Sequence, residues 1–264
     1  MRVIVMLTAE SEGGQVKCHP YWVDEQYGPL VLTKRSEELV SLEKKDPKGC
    51  TKRRSTTGSA LPAPTLHDSN FPHIVVRRFS LCHENYPFHP IREITQLQYS
   101  SWPDFGAPAH PAHILALIEH TEAVVRSTRN QKSTNPSSLS LSPTLGLPSA
   151  VERPMIVHCS AGCGRTGTFC AVDTVIGMLR RQQLHKQYGN SATMSDGGSD
   201  TDCGEGDIDW LSRDDEDLIQ QVVSDFRDQR LSMVQSLRQY VLCYETVLEW
   251  ISRQKTLDSG KRKA

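Results

Sequence analysis

The stretch MIVHCSAGCGRTGTFCAVDTVIGMLRRQ, residues 155–182, constrains the fold more than any other part of the chain. Met155-Ile156-Val157 follows a proline and predicts a short buried strand, and the apolar periodicity after the loop predicts a helix. The loop between them contains Gly162 and Gly164, which allow its backbone to turn inward so that its N–H groups converge. Such a loop, ending at a helix N-terminus, predicts a cradle for an anion.

Cys159 begins this loop, and Arg165 follows six residues later. The N–H groups that bind a phosphate also stabilise a thiolate, so cysteines in such sites have a pKa of about 3.5–7.5 instead of about 8.5. We therefore expect Cys159 to be an ionised nucleophile at neutral pH. The planar guanidinium of Arg165 can hold two phosphate oxygens, which a lysine would do less well. An ordinary buried cysteine beside a glycine turn is the alternative, but it does not explain why spacing, glycines and strand–helix context occur together.

Other residues of the loop have expected supporting roles. The Thr166 hydroxyl can donate to the Cys159 sulfur, and His158 either orients the loop from beneath or is a polar residue of the core. Cys163 places a second thiol near Cys159. A small hydrophobic role is favoured for it, and a redox role is a hypothesis, since low-pKa thiolates oxidise readily. The predicted phosphate-binding residues are Ser160, Ala161, Gly162, Cys163, Gly164 and Arg165.

Strand-like segments precede this region. Strands are predicted over residues 3–7, 74–81 and 94–100. In the last of these, apolar or β-branched residues alternate with glutamines, which is typical of a strand with one buried face. The alternating residues are Thr95, Gln96, Leu97, Gln98 and Tyr99.

Helices are predicted after Pro111, after a cap at Ser212, and over a last apolar-periodic segment. The apolar positions of the last helix are Tyr240, Tyr244, Val247, Leu248 and Ile251. Because strands and helices are interspersed, the pattern indicates an α/β or α+β domain.

Three polar stretches interrupt this pattern, at about 44–70, 127–150 and 191–212. They contain too few apolar residues to offset the entropy of ordering them, so we predict three disordered insertions. The first is basic and the third acidic. Their charges are expected to be solvated, and binding of targets is the alternative. The prediction is therefore one domain over residues 1–254 and a basic tail over 255–264.

Composition excludes several classes of protein. Lys and Arg number 30 and Asp and Glu 31, a net charge of −1, which argues against a nucleic-acid binder that works through overall charge. No apolar run approaches the ~18 residues of a membrane span. The eight cysteines form no CxxC pair or zinc spacing, and no N-glycosylation acceptor occurs. Both facts favour a reducing compartment, hence the cytoplasm, with the nucleus as a second candidate.

The segment HCSAGCGRTG resembles the signature loop of the cysteine-dependent protein-tyrosine phosphatases. Trp102-Pro103-Asp104 resembles the mobile loop that carries the family's general acid. Met233-Val234-Gln235-Ser236 with Gln239-Tyr240 resembles its glutamine loop, and the segment from Glu12 through Lys17-Cys18 to Tyr21-Trp22 resembles the one before the acid loop. The blocks occur in the family's order and cover nearly all of the chain outside the insertions. The last two point to the tyrosine-specific branch, and the insertion-rich style points to a fungal cytosolic member.

The resemblance implies a twisted mixed sheet flanked by helices, and a phosphoric monoester hydrolase that acts on phosphotyrosine through a cysteinyl-phosphate. It makes Asp104 the general acid, on a loop anchored by Trp102, although WPDFG alone reads as a turn. Gln235, with Gln239 beside it, would place the attacking water. In the same way Glu12 would hold the Arg165 fork, and Lys17 would support the acid loop.

The implied partners are phosphotyrosine-containing proteins, with a signalling kinase as a candidate. The resemblance implies no nucleic acid, no membrane, no metal and no cofactor.

The family's N-terminal portion, with its Asn-x-x-Lys-Asn-Arg-Tyr loop, is not found. We therefore expect an N-terminally incomplete domain. An incomplete gene model is the favoured explanation. The alternatives are a truncated product that is unstable or inactive, and a partner that replaces the missing part. A non-catalytic phosphate-binding or interaction protein is the alternative function, although the set Cys159, Arg165, Asp104 and Gln235 favours the enzyme.

Overall fold

A computed structural model of the chain describes residues 2–43, 72–130, 154–188 and 215–261. The predicted insertions therefore lie outside the described residues, with one exception. Residues 127–130, expected to begin the second insertion, are the end of a helix. The hydroxyls of Ser127 and Thr128 donate to carbonyls three residues earlier, so these polar residues fit within the helix.

The described residues form eight strands and four helices. The strands are β1 (Val3–Met6), β2 (Ser11–Glu12), β3 (Gln15–Val16), β4 (Gln26–Tyr27), β5 (Leu30–Ser41), β6 (His73–His83), β7 (Arg92–Gln98) and β8 (Ile156–His158). The helices are α1 (Pro111–Asn130), α2 (Gly164–Tyr188), α3 (Leu218–Gln229) and α4 (Leu237–Lys261). Among these helices, none combines the length and the apolar character that a membrane crossing demands.

Six strands form one sheet in the order β4-β5-β6-β7-β1-β8. The pairs β4–β5, β5–β6 and β6–β7 are antiparallel, whereas β1 lies parallel to both of its neighbours, β7 and β8. Parallel strands need a crossover connection, and helix α1 lies on the path from β7 to β8. Strands β2 and β3 form a separate hairpin. The expected mixed sheet flanked by helices is confirmed.

The main hydrophobic core lies between one face of this sheet and the helices. Val5 and Leu97 of the central strands are fully buried, as are Leu117 of α1 and Val172 of α2. Full burial of such a side chain stabilises the fold by roughly 1.5–3 kcal/mol. Helix α2 packs against α3, α4 and β8. This packing fixes the end of β8 and the start of α2, which is where the cysteine loop lies.

The other face of the sheet is also covered, so the predicted alternation in β7 is wrong. Gln96 and Gln98 are both buried, and the buried Arg77 donates to their side-chain oxygens at 3.1 and 2.6 Å. The Arg77 guanidinium also lies 4.5 Å from the ring centre of Trp22. An unpaired buried polar group costs about 1–3 kcal/mol, and this network avoids that cost. The glutamines are therefore core residues.

Two other expected core positions are exposed. Ile156, predicted within a buried strand, is 43% exposed because β8 is the last strand of the sheet in the described part of the chain. Leu248 is 63% exposed, whereas Val247 beside it is buried. The 3.6-residue period of helix α4 turns Leu248 away from the face that carries Val247.

The predicted cap at Ser212 lies outside the described residues, and Asp217 caps helix α3 instead. Its carboxylate accepts from the N–H groups of Ile219 and Gln220, both at 3.0 Å. An aspartate at this position satisfies free N–H groups, and its negative charge interacts favourably with the helix dipole. Helix α4 continues to Lys261, through most of the segment expected as a basic tail.

Candidate active site

The candidate site is built where strand β8 ends and helix α2 begins. The Leu7 N–H donates to the His158 carbonyl at 2.8 Å, which fixes the end of β8 beside β1. The chain then turns through Gly162, whose φ of 68° is a left-handed conformation that favours glycine. Helix α2 starts at Gly164, so loop N–H groups and the helix N-terminus surround one point.

The sulfur of Cys159 lies at that point, and the Gly162 N–H donates to it at 3.2 Å. Burial raises the pKa of Cys159, but the Thr166 hydroxyl and the N–H groups of Thr166, Gly162 and Cys163 lower it by more. The net pKa lies below the usual value of a cysteine. The arrangement therefore favours the thiolate.

The loop, not burial, produces this shift. Burial raises the pKa of Cys170 and of Cys243 to about 12. The Thr166 hydroxyl is buried and has no hydrogen-bond partner among the described residues, and it lies close enough to Cys159 to lower the pKa of that thiol.

Arg165, which is 1% exposed, is held at both ends of its guanidinium. Nη1 donates to Glu12 Oε1 at 2.5 Å and to the Trp102 carbonyl at 3.0 Å. Nη2 donates to Asp104 Oδ1 at 3.3 Å. Nε is buried and has no partner within the described part of the chain. A phosphate can therefore bind the Nε–Nη2 edge with two oxygens by displacing one carboxylate.

The β2–β3 hairpin and the residue that follows it support both the arginine and the acid loop. Besides Arg165, Glu12 Oε1 accepts from the buried Thr8 hydroxyl at 2.8 Å. Just after the hairpin, Lys17 Nζ donates to Asp104 Oδ2 at 2.9 Å. The structure thus brings Glu12 and Lys17 to the two groups with which the resemblance paired them.

The acid loop is closed on itself by Trp102, which is buried and donates its indole N–H to the Gly106 carbonyl at 3.0 Å. Burial raises the pKa of Asp104, but the hydrogen bond from Lys17 and the charges of Arg165 and Lys17 lower it by more. Asp104 is therefore a carboxylate in this arrangement. Donation of a proton from it requires a nearby negative charge or the loss of one of these cations.

A chain of hydrogen bonds beneath the loop orients His158. Gln96 donates to the Tyr21 hydroxyl at 2.8 Å, and that hydroxyl lies 2.8 Å from His158 Nε2. His158 Nδ1 lies 3.2 Å from the Cys159 carbonyl. Burial lowers the pKa of His158, and its bond to the Cys159 carbonyl offsets this only in part. A neutral ring that accepts from Tyr21 and donates to the carbonyl fits these contacts.

Gln235 and Gln239 both lie against the cysteine loop. A β-carbon at Gly164 would come within 2.8 Å of Gln239 Oε1 and 3.3 Å of Gln235 Oε1. Gln239 is 1% exposed, and its Oε1 accepts from the Gln235 N–H at 3.1 Å. Gln235 itself is exposed. The glutamine loop therefore lies beside the point where the Cys159 sulfur is held.

The position of the glutamine loop depends on a strained contact. Val234 has a φ of 56°, an outlier for a β-branched residue, and its N–H donates to the Cys163 carbonyl at 3.3 Å. A β-carbon at Gly167 of helix α2 would lie 2.5 Å from the Val234 nitrogen. Only a glycine at 167 allows this approach.

Replacing Gly167 with alanine is expected to destabilise the fold by about 1–3 kcal/mol, because the added carbon meets backbone that must move. The glutamine loop would shift with it. Gly177→Ala is the matched control: it lies on the same helix with open space around it and is expected to stabilise by about 0.5–1 kcal/mol. Chemical denaturation of both variants measures these changes. Equal stabilisation by the two substitutions would contradict the contact.

Arg230 was not predicted as a site residue from the sequence. The only sequence feature that could have indicated a role is its basic side chain, close in the chain to the glutamine loop. Its guanidinium donates to the Ala161 carbonyl at 2.8 Å and to Cys163 Sγ at 3.1 Å. The Cys163 sulfur thus faces Arg230, while its N–H contributes to the Cys159 environment. Cys163 is a hydrogen-bond partner in the loop, and not the purely hydrophobic residue that we favoured. Ser160 and Ala161 are exposed at the rim of the loop.

The mixed sheet and its helices place a cysteine of lowered pKa and a buried arginine in one loop. This arrangement defines a cysteine-centred site for an anion. The chain belongs to the protein-tyrosine phosphatase family, whose family model matches residues 1–194 and 208–249. Human tyrosine-protein phosphatase non-receptor type 9 is 27% identical over 264 residues, covering 98% of this chain and 32% of that protein. Mouse non-receptor type 18 is 29% identical over 257 residues, covering 96% and 38%.

Solved structures of the same family are similar to this chain. The crystal structure of the catalytic domain of human protein tyrosine phosphatase non-receptor type 18 matches with a TM-score of 0.52 and 26% identity, over 94% of this chain and 60% of that chain. A structure of PTPN18 in complex with HER2-pY1248 phosphopeptides matches with a TM-score of 0.51 and 25% identity. The chain spans about a third of the length of these two relatives.

Proposed function

We propose that this chain is a protein-tyrosine phosphatase of the non-receptor branch that hydrolyses phosphotyrosine in proteins through a cysteinyl-phosphate. The observation that carries the proposal is the pairing of a low-pKa Cys159 with an arginine whose buried Nε has no partner among the described residues. The guanidinium edge and the helix N-terminus complement a phosphate dianion in charge and geometry, and the thiolate beside them is a nucleophile.

In the first step, the Cys159 sulfur attacks phosphorus while the Nε–Nη2 edge of Arg165 holds two oxygens. The phosphate replaces the Asp104 carboxylate at Nη2 and places negative charge beside it, which raises the pKa of Asp104. Asp104 thereby takes up a proton from solvent water and, as the P–O bond breaks, gives it to the departing tyrosine oxygen. General acid catalysis of this kind is worth typically ~10²–10⁴-fold.

In the second step, Asp104 is again a carboxylate and takes a proton from water. Gln235 and Gln239 position that water, since an amide can donate and accept without adding charge. The oxygen attacks the phosphorus on Cys159, and the thiolate leaves. The Thr166 hydroxyl stabilises the sulfur at this moment, and Glu12, Lys17 and His158 keep the groups aligned.

The catalytic domain is proposed to extend over residues 1–254, and the location to be the cytoplasm. The substrates are proposed to be phosphotyrosine segments of proteins, with signalling kinases among them. PTPN18 has been solved with phosphopeptides, which supports the same class of substrate here. A fungal origin stays a prediction.

The test is phosphate release by the full chain from a phosphotyrosyl peptide and from the same peptide with phosphoserine. We expect release from the first only, and rapid acid quenching should leave a phosphoryl group on the peptide that contains Cys159. Binding of the phosphotyrosyl peptide without release would instead identify a non-catalytic phosphate-binding protein. Equal release from both peptides would overturn the tyrosine preference.

A further inference from the structure

The Ser236 hydroxyl joins two loops that the mechanism uses separately. Its oxygen accepts from the Gln239 N–H at 3.2 Å, and its hydrogen is donated to the Phe105 carbonyl at 3.0 Å. The Tyr240 N–H donates to the Ser236 carbonyl at 3.0 Å, so Ser236 is the N-cap of helix α4. A hydroxyl has one hydrogen and accepts at the same time, so one side chain can make both bonds.

The acid loop is strained at the residue that receives this bond. Phe105 follows Asp104 directly and has a φ of 54°, a left-handed conformation that is unfavourable for a non-glycine residue. Its side chain is 58% exposed, so packing contributes little to holding it there. Strained backbone of this kind persists only where surrounding contacts hold it in place. The bond from Ser236 to the Phe105 carbonyl is such a contact.

We propose that Ser236 is a positioning residue: its hydroxyl latches the acid loop against the N-terminus of helix α4 and so holds Asp104 beside Arg165. The inference rests on the proposed function and extends it to a residue with no expected role of its own. With the latch lost, the strained backbone at Phe105 relaxes and the acid loop leaves the site more often. Asp104 is then in place for proton donation for a smaller fraction of the time.

Loss of proton donation has a signature that a general loss of structure lacks. An acidic phenol such as 4-nitrophenol leaves without much help, whereas phenol and tyrosine need the proton. The latch therefore predicts a selective loss on poor leaving groups. The measured quantity is kcat/KM for phenyl phosphate divided by kcat/KM for 4-nitrophenyl phosphate.

Three variants separate the latch from helix capping. Ser236→Thr keeps both the cap and the donor. Ser236→Asp keeps the cap, since a carboxylate accepts from the Gln239 N–H, but it cannot donate to Phe105. Ser236→Ala loses both. Stability should therefore follow the cap, and the leaving-group ratio should follow the donor.

We expect the ratio to fall by about 10-fold in both Ser236→Ala and Ser236→Asp, a part of the full value of an acid catalyst, and to stay within about twofold in Ser236→Thr. Of the three variants, only Ser236→Ala should show a lower Tm in thermal unfolding. An unchanged ratio in Ser236→Asp overturns the latch. A ratio that falls only in Ser236→Ala, together with Tm, also overturns it, because capping would then explain the effect.

The proposed function is tested separately in the same assay. Turnover of 4-nitrophenyl phosphate by the wild-type chain does not depend on the latch, because that leaving group needs little proton donation. If the wild-type chain turns over 4-nitrophenyl phosphate but the leaving-group ratio is unchanged in Ser236→Ala and Ser236→Asp, the latch is overturned and the proposed phosphatase activity is not. Absence of wild-type turnover overturns the phosphatase, and the latch falls with it.

Discussion

Replacing Cys159 with serine is expected to lower kcat for a phosphotyrosyl peptide by about 10⁴–10⁶-fold, the range seen when a catalytic nucleophile is removed. A serine hydroxyl is not ionised at neutral pH, so the N–H groups around the sulfur would have no anion to stabilise. Binding of the peptide should persist, because Arg165 and the loop N–H groups remain. Kinetics at saturating peptide and fluorescence anisotropy of the labelled peptide measure the two properties.

Cys82→Ser is the matched control for this substitution. Cys82 is a partly buried thiol on β6 whose sulfur lies 3.8 Å from the Val31 carbonyl, a contact that a serine hydroxyl can replace. We expect this variant to keep kcat within about twofold, as for a substitution away from the site. Turnover by Cys159→Ser comparable to that of Cys82→Ser would exclude a cysteinyl-phosphate.

Replacing Arg165 is expected to have the second largest effect. In Arg165→Lys, kcat/KM should fall by about 10³-fold, the lower end of the range for an arginine that stabilises a phosphoryl transition state. Lysine keeps the charge but not the planar fork, so it cannot bond Glu12, the Trp102 carbonyl and two phosphate oxygens together. Steady-state kinetics and inhibition by inorganic phosphate measure the loss.

Arg180→Lys provides the control on the same helix. Arg180 pairs with Glu122 and lies 5.7 Å from the ring centre of Trp250, away from the cysteine loop. We expect its kcat/KM to match that of the wild-type chain. Phosphate inhibition that is equally strong in Arg165→Lys and Arg180→Lys would show that the Arg165 fork does not bind the phosphate.

The strand–loop–helix unit around Cys159 was predictable because all of its determinants lie within one short segment. The spacing of Cys159 and Arg165, the two glycines and the apolar residues on either side act through local geometry alone. Glu12, Lys17, Asp104 and Gln235 were named only through the resemblance to a family. Their positions along the chain hold no physical signal that they meet at one loop.

Residues that act across the chain escaped prediction. Gln96 and Gln98 have the period of a half-exposed strand, and only a buried arginine from another strand makes them core residues. Ser236 and Phe105 are separated by 131 positions, so no local pattern relates them. The cap of helix α3 was predicted at Ser212 instead of Asp217 for a different reason. Several polar residues precede this helix, and the sequence does not show at which of them the helix begins.

Arg165 already pairs with two carboxylates, Glu12 and Asp104, and under the proposed function an incoming phosphate must compete with them. Entry is thus an exchange of one anion for another, with Glu12 staying and Asp104 giving way. A singly charged inhibitor, such as a simple carboxylic acid, gains little from replacing a group of its own kind. Dianionic compounds, phosphonates for instance, bring the extra charge that makes the exchange favourable, and inhibitor discovery against this chain is best directed toward them.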